Sequence, residues 1–400
     1  MAHRHLHHDS PWLLALLAAL VALGPLSVDM YLPAMPAMMA ALDTDIGHMH
    51  LTLSVYLTGF AIFHLACGPL ADRFGRKPVL TGGTVLFVAA CIGCSLSSSV
   101  EELLLFRFIQ GIGACVGPTL ARTITRDVFG PTRAARALSL IAMLMALAPA
   151  VAPSIGGAML LVLPWPSIFV FLGVHGAVTI VLIQVYLAES LPQPQSLHPL
   201  TIARNFGQLF RDPLFLSATF ASGLVYAGLM IYLSSSSFIY IEMLGVPVEY
   251  FGFIFLTSVV GYMLGSAVSA RLTRYYDSEQ TVLLGASLVT AATGAMWLGA
   301  QLFPDSIAAL VMPMVFYATG MGLILPNAMA VALRPFPHIA GTASALMGFI
   351  QMSMSAAATA LIGAFLKDTP APMVASMFLI TLLALGLSVR LYLHYAATKP

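Results

Sequence analysis

The sequence has few charged residues. Only 8% of its 400 residues are Asp, Glu, Lys or Arg, whereas a soluble globular protein carries about 25%. The formal net charge is +1, so the charge balance gives no indication of a nucleic-acid partner. Hydrophobic residues make up 59% of the chain, and its mean hydropathy is +0.93. This composition argues against a soluble protein and predicts a membrane protein.

Cysteine is scarce, and the common catalytic motifs are missing. Cys91 and Cys94 have the spacing of a metal or redox pair, but no second pair and no nearby histidine accompanies them. We interpret them, with Cys67 and Cys115, as small apolar packing residues. The chain has no G-x-S-x-G, H-E-x-x-H or P-loop pattern. We therefore expect no enzyme activity, no cofactor and no bound metal.

Twelve apolar segments are long enough to cross a bilayer, which takes about 20 residues. We predict an all-α membrane protein with twelve transmembrane helices. The predicted spans are 12–38, 49–70, 79–97, 102–122, 134–160, 166–187, 213–238, 249–270, 281–302, 307–329, 341–365 and 372–395. The apolar run that starts at Trp12 is too long for a signal peptide and is interpreted as a retained span.

A polar segment rich in Pro and Gln, residues 188–212, divides the spans six and six. We predict an N-terminal six-helix bundle over 1–187, a cytoplasmic linker over 188–212 and a C-terminal six-helix bundle over 213–400. The halves repeat each other weakly, as "RFGR" after span 2 and "RLTR" after span 8 show. Parallel repeats of this kind are typical of transporters whose substrate site lies near the midplane between two bundles.

The positive charges predict the orientation. With the N-terminus inside, fifteen of the 17 Lys and Arg residues fall on the inner side, Lys367 falls outside, and Arg107 lies within a span. Both termini are therefore predicted to be cytoplasmic. The inner residues are Arg4, Arg73, Arg76, Lys77, Arg122, Arg126, Arg133, Arg136, Arg204, Arg211, Arg271, Arg274, Arg334, Arg390 and Lys399.

Two motifs carry most of the functional information. "GPLADRFGRKPVL" after span 2 is a sharp inner turn in which Gly68 permits close helix approach and Gly75 permits positive φ. "APAVAPSIGG" in span 5 has prolines that bend a helix and glycines that allow close packing. The motif residues are Gly68, Asp72, Arg73, Gly75, Arg76 and Lys77 in the loop and Pro149, Pro153, Gly156 and Gly157 in the span.

These motifs resemble those of the major facilitator superfamily. The loop resembles its signature between spans 2 and 3, which implies a gating role, and "APAVAPSIGG" resembles its antiporter motif, although Ala148 and Ala152 stand at usual glycine positions. "VDMYLPAMP" and "LLFRFIQGIG" resemble the bicyclomycin and chloramphenicol resistance group of drug/proton antiporters. The resemblance implies a monomer in a bacterial inner membrane that exchanges protons for small lipophilic or amphipathic compounds. Export of a native metabolite remains an alternative.

Asp29 and Arg107 are the two charged residues well inside predicted spans, where a charge costs about 2.5–3.5 kcal/mol. At 1.5 Å per residue, Asp29 lies about 26 Å from the inner end of span 1 and Arg107 about 8 Å from the outer end of span 4. The two depths are compatible with contact. The pair is interpreted either as the proton-coupling site, which the family resemblance supports, or as a permanent structural ion pair.

Other polar side chains in the spans are candidates for substrate or proton binding. By resemblance, the substrate-binding candidates are Tyr31, Tyr56, Gln110, Tyr226 and Met230. His64 and His175 are interpreted either as members of a proton relay or as hydrogen-bonded core histidines. The 22 methionines, with the Met- and His-rich segment from Met35 to His50, leave Cu(I) transport as a further alternative. The histidine-rich start is either natural or an introduced tag.

Overall fold

The computed structural model describes residues 11–191, 199–367 and 369–398. Arg4, Lys399, the histidine-rich start and residues 192–198 of the predicted linker lie outside these ranges. The described residues form helices joined by short turns. The α-helices are α1 (Pro11–Asp29), α2 (Met35–Ala41), α3 (Ile46–Phe74), α4 (Arg76–Leu96), α5 (Val100–Ala114), α6 (Val116–Leu160), α7 (Pro166–Tyr186), α8 (Pro199–Leu209), α9 (Pro213–Ser237), α10 (Val248–Leu272), α11 (Ser278–Leu302), α12 (Ile307–Leu333), α13 (Ala340–Phe365) and α14 (Ala371–Thr398).

The described helices account for the twelve predicted spans. Eleven helical segments are long and apolar enough to cross a membrane, and Ala148–Leu160 is a shorter apolar helix at the position of predicted span 5. Most have exposed apolar faces, such as the valines of α7 at positions 170, 174, 178, 181 and 185, spaced three or four residues apart. Such a stripe suits contact with acyl chains. The predicted all-α membrane fold is confirmed.

One predicted connection differs from the structure. Helix α6 runs without interruption through residues 123–133, where the sequence predicted an inner loop between spans 4 and 5. The segment that follows, "AARALSLIAMLMAL" at 134–147, consists largely of strong helix formers. This intrinsic preference extends the helix past the point where hydropathy falls.

The chain forms two compact units. The first comprises the described residues of Met1–Thr44 and Val55–His198, and the second those of Asp45–Ser54 and Pro199–Pro400. In the first unit, α1 packs against α6 and α7, and α4 packs against α5 and α7. In the second unit, α9 packs against α12, α13 and α14, while α12 also contacts α10 and α11. The first six residues of predicted span 2, 49–54, thus belong to the second unit.

Part of the predicted linker is helical. Helix α8 covers residues 199–209, belongs to the second unit and packs on α13. Phe206, Leu209 and Phe210 follow at helical spacing, which gives the segment one apolar side. Leu209 is fully buried while Arg204 is exposed. Polar composition alone did not reveal this amphipathic pattern.

Candidate coupling and gating sites

Span 1 is interrupted directly after its acid. Helix α1 ends at Asp29, and a 3-10 turn at Leu32–Ala34 precedes α2. Pro33 and Pro36 lie in the first turns of these two elements, where a missing N–H is tolerated. The prolines therefore end one helix and start the next, while Gly24 remains inside α1. Asp29 is buried at this break, with 4% of its surface exposed.

Arg107 is held in position by the start of α5. The hydroxyl of Ser99 accepts a hydrogen bond from the N–H of Glu102 at 3.3 Å and caps the helix. Arg107 lies two turns further along and is fully buried. Its Nη1 donates to the carbonyl of Ser27 at 3.2 Å and to Oε1 of Gln110 at 2.7 Å. The bond to Ser27 ties α5 to the end of α1, and the bond to Gln110 holds the guanidinium within α5.

Two tyrosines complete this arrangement, which we call the Arg107 cluster: Ser27, Tyr31, Tyr56, Arg107 and Gln110. The guanidinium carbon of Arg107 lies 4.3 Å from the ring centroid of Tyr31 and 4.4 Å from that of Tyr56. A desolvated cation–π contact contributes about 2 kcal/mol. The hydroxyl of Tyr56 donates to the carbonyl of Gly24 at 3.2 Å. Three of the five predicted substrate residues thus surround Arg107.

One edge of the Arg107 guanidinium is unused. Its Nε and Nη2 are buried and have no hydrogen-bond partner in the described part of the chain. These atoms carry the parallel N–H groups with which an arginine binds a carboxylate in a bidentate manner. An unpaired buried donor is costly, so this edge is suited to receive an acceptor.

Asp29 does not fill that edge in this structure. No ion pair joins Asp29 to Arg107 among the residues described, so the expected contact is absent. The depths were compatible, because Arg107 reaches the carbonyl of Ser27 and the ring of Tyr31, which bracket Asp29 along the chain. Asp29 is the last residue of α1, and Tyr31 lies beyond the end of this helix. Arg107 thus contacts the chain on both sides of Asp29 without forming an ion pair with its carboxylate.

The antiporter-like motif lies against the same break in span 1. A Cβ added to Gly156 would lie 2.5 Å from the carbonyl oxygen of Met30 and 3.1 Å from Cγ of Pro33. Gly156 therefore permits α6 to approach the backbone beside Asp29. Pro149 is partly exposed and Pro153 is buried, and both lie inside α6, as does buried Gly157.

The loop between α3 and α4, which the charges predict to be on the inner side, holds an ionic network around Arg76. Its Nη1 lies 2.5 Å from Oδ1 of Asp72, and its Nε donates to Oδ2 of Asp127 at 3.3 Å. This network links the end of α3, the start of α4 and α6, while Arg73 is exposed. Gly68 was expected to permit close helix approach. That expectation is wrong for this structure, because a Cβ on Gly68 would meet none of the described atoms within 4 Å.

Glu189 is a site residue that the sequence interpretation missed. Its carboxylate accepts the backbone N–H of Arg76 at 2.9 Å and that of Lys77 at 3.1 Å. The sequence shows an acid directly after predicted span 6, but it contains no signal that this acid meets a loop more than a hundred residues earlier. Asp127 was missed for the same reason.

Comparison with protein families decides the identity of this fold. A family model described as "Major Facilitator Superfamily" matches residues 17–360. The chain belongs to the major facilitator superfamily. The expectation of a transporter rather than an enzyme is thereby confirmed.

Curated major facilitator relatives match nearly full length. The chain is 32% identical over 370 residues to the uncharacterized transporter YdgK of Bacillus subtilis, covering 91% of each chain. It is 30% identical to the bicyclomycin resistance protein homolog of Haemophilus influenzae, covering 90% of this chain and 91% of the relative. It is 32% identical to the multidrug resistance protein MdtL of Vibrio parahaemolyticus, covering 84% of this chain and 85% of the relative.

A solved major facilitator structure has the same fold. A bacterial homolog of the human lysosomal transporter Spinster superposes with a TM-score of 0.73 at 17% identity, covering 96% of this chain and 97% of that one. This likeness, with the apolar helices described above, makes the protein a multi-pass membrane protein of the major facilitator fold.

In the second unit, two predicted substrate residues share one helix. Tyr226 and Met230 lie four residues apart on α9, with Met230 buried and Tyr226 partly exposed. Residues at this spacing face the same side of a helix. This unit also has an ion pair between the start of α11 and the end of α12, in which Arg334 binds the carboxylate of Glu279 through Nη1 at 2.8 Å and Nη2 at 3.3 Å.

The two span histidines have contacts within the first unit. His64 stacks on Phe60, with ring centroids 5.9 Å apart, and its Nδ1 lies 3.4 Å from Oγ1 of Thr119. Nε2 of His175 lies 3.3 Å from the carbonyl of Ala19. Both are thus packed against neighbouring spans.

The Met- and His-rich segment divides between the units. Met35 and Met38 are fully buried in the first unit, whereas His48 and His50 belong to the second. Asp45 accepts the backbone N–H of His48 at 2.9 Å and contacts its ring Nδ1 at 2.8 Å, which lowers the pKa of the Asp45 carboxyl. Within the described ranges, no group of three or more His, Cys, Asp or Glu is arranged to hold a metal ion.

The contact at Gly156 leads to a test. Gly156→Ala should lower the thermal midpoint and slow transport, because the new methyl group meets backbone that cannot move without shifting the end of α1. Overpacking of this kind costs about 1–3 kcal/mol. A thermal-shift assay on purified protein measures it. Gly386→Ala is the control, since a Cβ there meets no described atom within 4 Å. Equal midpoints for the two variants would contradict the assigned contact.

Proposed function

We propose that this protein is a proton-driven exporter of small lipophilic or amphipathic compounds. One observation carries the proposal: a buried carboxyl group, Asp29, lies at a helix break beside an arginine whose carboxylate-binding edge is open. Relatives named for bicyclomycin and multidrug resistance support the same conclusion for the substrate class.

The geometry supports a two-state coupling mechanism. In the arrangement described, Asp29 lacks a cation, and burying an unpaired carboxylate is costly unless it is protonated. In the other state, the break after α1 turns Asp29 toward Nε and Nη2 of Arg107, and the proton leaves. A pair that forms in one state and breaks in the other transfers one proton per cycle.

The antiporter-like motif supports export rather than uptake. Gly156 lies against the carbonyl of Met30, next to Asp29, so movement of α6 reaches the residue that carries the proton. Pro149 and Pro153 interrupt the hydrogen-bond ladder of this helix. We propose that this helix couples the opening of the transport path to the Asp29 switch.

The proposed substrate site contains Tyr31, Tyr56 and Gln110 in the first unit and Tyr226 and Met230 in the second. Aromatic and methionine side chains adapt to varied apolar ligands, which suits a multidrug exporter. Export of a native metabolite uses the same chemistry. A panel of drug-susceptibility assays in an efflux-deficient bacterial host separates the two, because a metabolite exporter would confer no resistance.

Transport in liposomes tests the proposal directly. Purified protein should move chloramphenicol or a fluorescent dye against its concentration gradient when a proton gradient is imposed, without added metal. Failure to respond to the proton gradient would overturn it. Strict dependence on Cu(I), lost on replacing Met35, Met38, Met39 and His50, would favour copper transport instead.

We further propose that the protein acts as a monomer in a bacterial inner membrane, with bundles 1–187 and 213–400 and both termini cytoplasmic. The distribution of Lys and Arg supports this orientation. Reporter fusions after Arg73 and Arg211 should therefore read cytoplasmic, and a fusion at Lys367 should read external. An external signal at Arg211 would contradict the six-plus-six arrangement.

A further inference from the structure

The start of α4 is capped by a residue from the segment that follows α7. The first N–H groups of a helix have no partner within it, and the helix dipole makes this end positive. An N-cap side chain usually serves them, but the N-cap here is Gly75, which has none. Glu189 supplies the missing group, because its two carboxylate oxygens accept the N–H groups of Arg76 and Lys77.

The end of α7 is capped in return from α4. Nζ of Lys77 donates to the carbonyl of Gln184 at 3.1 Å and to that of Leu187 at 2.7 Å. These carbonyls lie at the C-terminal end of α7, where orphan acceptors and the dipole favour a cation. Lys77 of α4 thus places a positive charge at the C-terminus of α7, and Glu189, three residues after α7, places a negative charge at the N-terminus of α4.

The conformation of Gly75 is required for the mutual capping of α4 and α7. Gly75 has φ of 101°, a value that side-chain-bearing residues rarely adopt. A Cβ at this position would also lie 2.5 Å from Oε2 of Glu189. The glycine of the loop motif therefore both makes the turn and leaves room for the carboxylate.

The mutual capping of α4 and α7 is connected to the ionic network of Arg76, Asp72 and Asp127. Glu189 fixes the backbone of Arg76, whose side chain reaches Asp72 and Asp127. The hydroxyl of Ser190, the residue after Glu189, also donates to Oδ2 of Asp127 at 3.4 Å. The end of α7 thus sets the position from which Arg76 links α3 and α6.

We propose that Glu189 and Lys77 form a reciprocal helix cap that joins α4 and α7 into one rigid pair, and that Glu189 is a positioning residue for the inner gate. The gate role itself rests on the proposed transport function. Lys77 and Glu189 have no side-chain ion pair among the described contacts. The two charges act on helix termini and not on each other.

Exchanging the charges of residues 77 and 189 distinguishes a reciprocal helix cap from a simple ion pair between the two side chains. Glu189→Ala and Lys77→Ala should each lower the maximal transport rate about tenfold, the equivalent of one helix cap, with KM unchanged. The double variant Lys77→Glu/Glu189→Lys keeps both charges but puts the wrong sign at each terminus, so it should remain as slow as the single variants. Recovery of the wild-type rate by the double variant would overturn the reciprocal cap, because a simple ion pair survives the exchange.

Hydrogen exchange tests the cap without relying on transport. In Glu189→Ala, a peptide spanning residues 74–80 should exchange its amides faster than in wild type, because two N–H groups lose their acceptor. Glu249→Gln is the matched control, since Glu249 is an exposed acid in the first turn of α10, and it should leave both exchange and transport unchanged. Unchanged protection in Glu189→Ala would overturn the proposal, whereas faster exchange in a protein that transports no drug would contradict only the proposed function.

Discussion

Asp29→Asn is expected to abolish uphill drug transport while leaving drug binding within about twofold of wild type. The amide has the size of the carboxyl group, so the buried break after α1 keeps its shape. It cannot exchange a proton, and it cannot form the charged bidentate pair that the open edge of Arg107 favours. Proton release on adding substrate to detergent-solubilised protein measures the coupling, and wild type should release protons while the variant should not.

Two controls make this result specific. Substrate binding to Asp29→Asn would show that the variant remains folded. Failure of the drug to accumulate in liposomes under a proton gradient would show that coupling is lost. Undiminished proton release from the variant would move the coupling site elsewhere. His64 and His175 would then be the next residues to replace, and Asp29 would keep a structural role only.

Arg107→Ala should abolish transport for a different reason and should also destabilise the protein. Its removal leaves the carbonyl of Ser27 and Oε1 of Gln110 without their donor, at a cost of about 1–3 kcal/mol for each buried group. It also empties the space beside the rings of Tyr31 and Tyr56. Arg107→Lys restores the charge but not the planar fork, so we expect partial recovery of stability and little recovery of transport.

Thermal unfolding and accumulation in liposomes measure these two effects separately. Arg204→Ala is the control, because Arg204 is exposed on α8 and should change neither. Full transport by Arg107→Lys would show that a point charge is sufficient, and it would contradict a bidentate role for the Nε and Nη2 edge.

The sequence was informative about Arg107 and less so about its partner. Counting residues along spans 1 and 4 correctly predicted that Arg107 lies at the depth of the end of α1, because the rise per residue is nearly constant in helices. Depth does not give rotation about the helix axis. The Arg107 cluster contains Ser27 and Tyr31 and leaves out Asp29 between them. The chain leaves the α-helix directly after Asp29, so helical spacing could not predict the direction of this side chain.

Hydropathy predicted the spans well because membrane helices must be long and apolar. It failed where helix propensity and hydropathy diverge. Residues 123–133 are polar but helical in α6, and α8 is helical within a segment that looks like a linker. Both segments are helical, but neither contains an apolar run long enough to be predicted as a membrane span.

The gate shows a limit of another kind. Gly75, Arg76 and Lys77 were recognised from a contiguous motif, whereas Glu189 and Asp127 join them only through packing of α4 against α7 and α6. A contact between residues so far apart in one sequence leaves no local pattern. The positive φ of Gly75 was predictable from the motif, but the carboxylate that occupies the space beside it was not.

The burial of the cysteines has a practical consequence. All four, Cys67, Cys91, Cys94 and Cys115, are buried in the first unit, and residues 116–400 contain none. The native cysteines are therefore expected to react little with thiol-reactive spin labels. Single cysteines introduced at exposed positions can be labelled without first removing the natural ones. Pulsed electron resonance between one label in each unit would then record how their separation changes when substrate or acid is added.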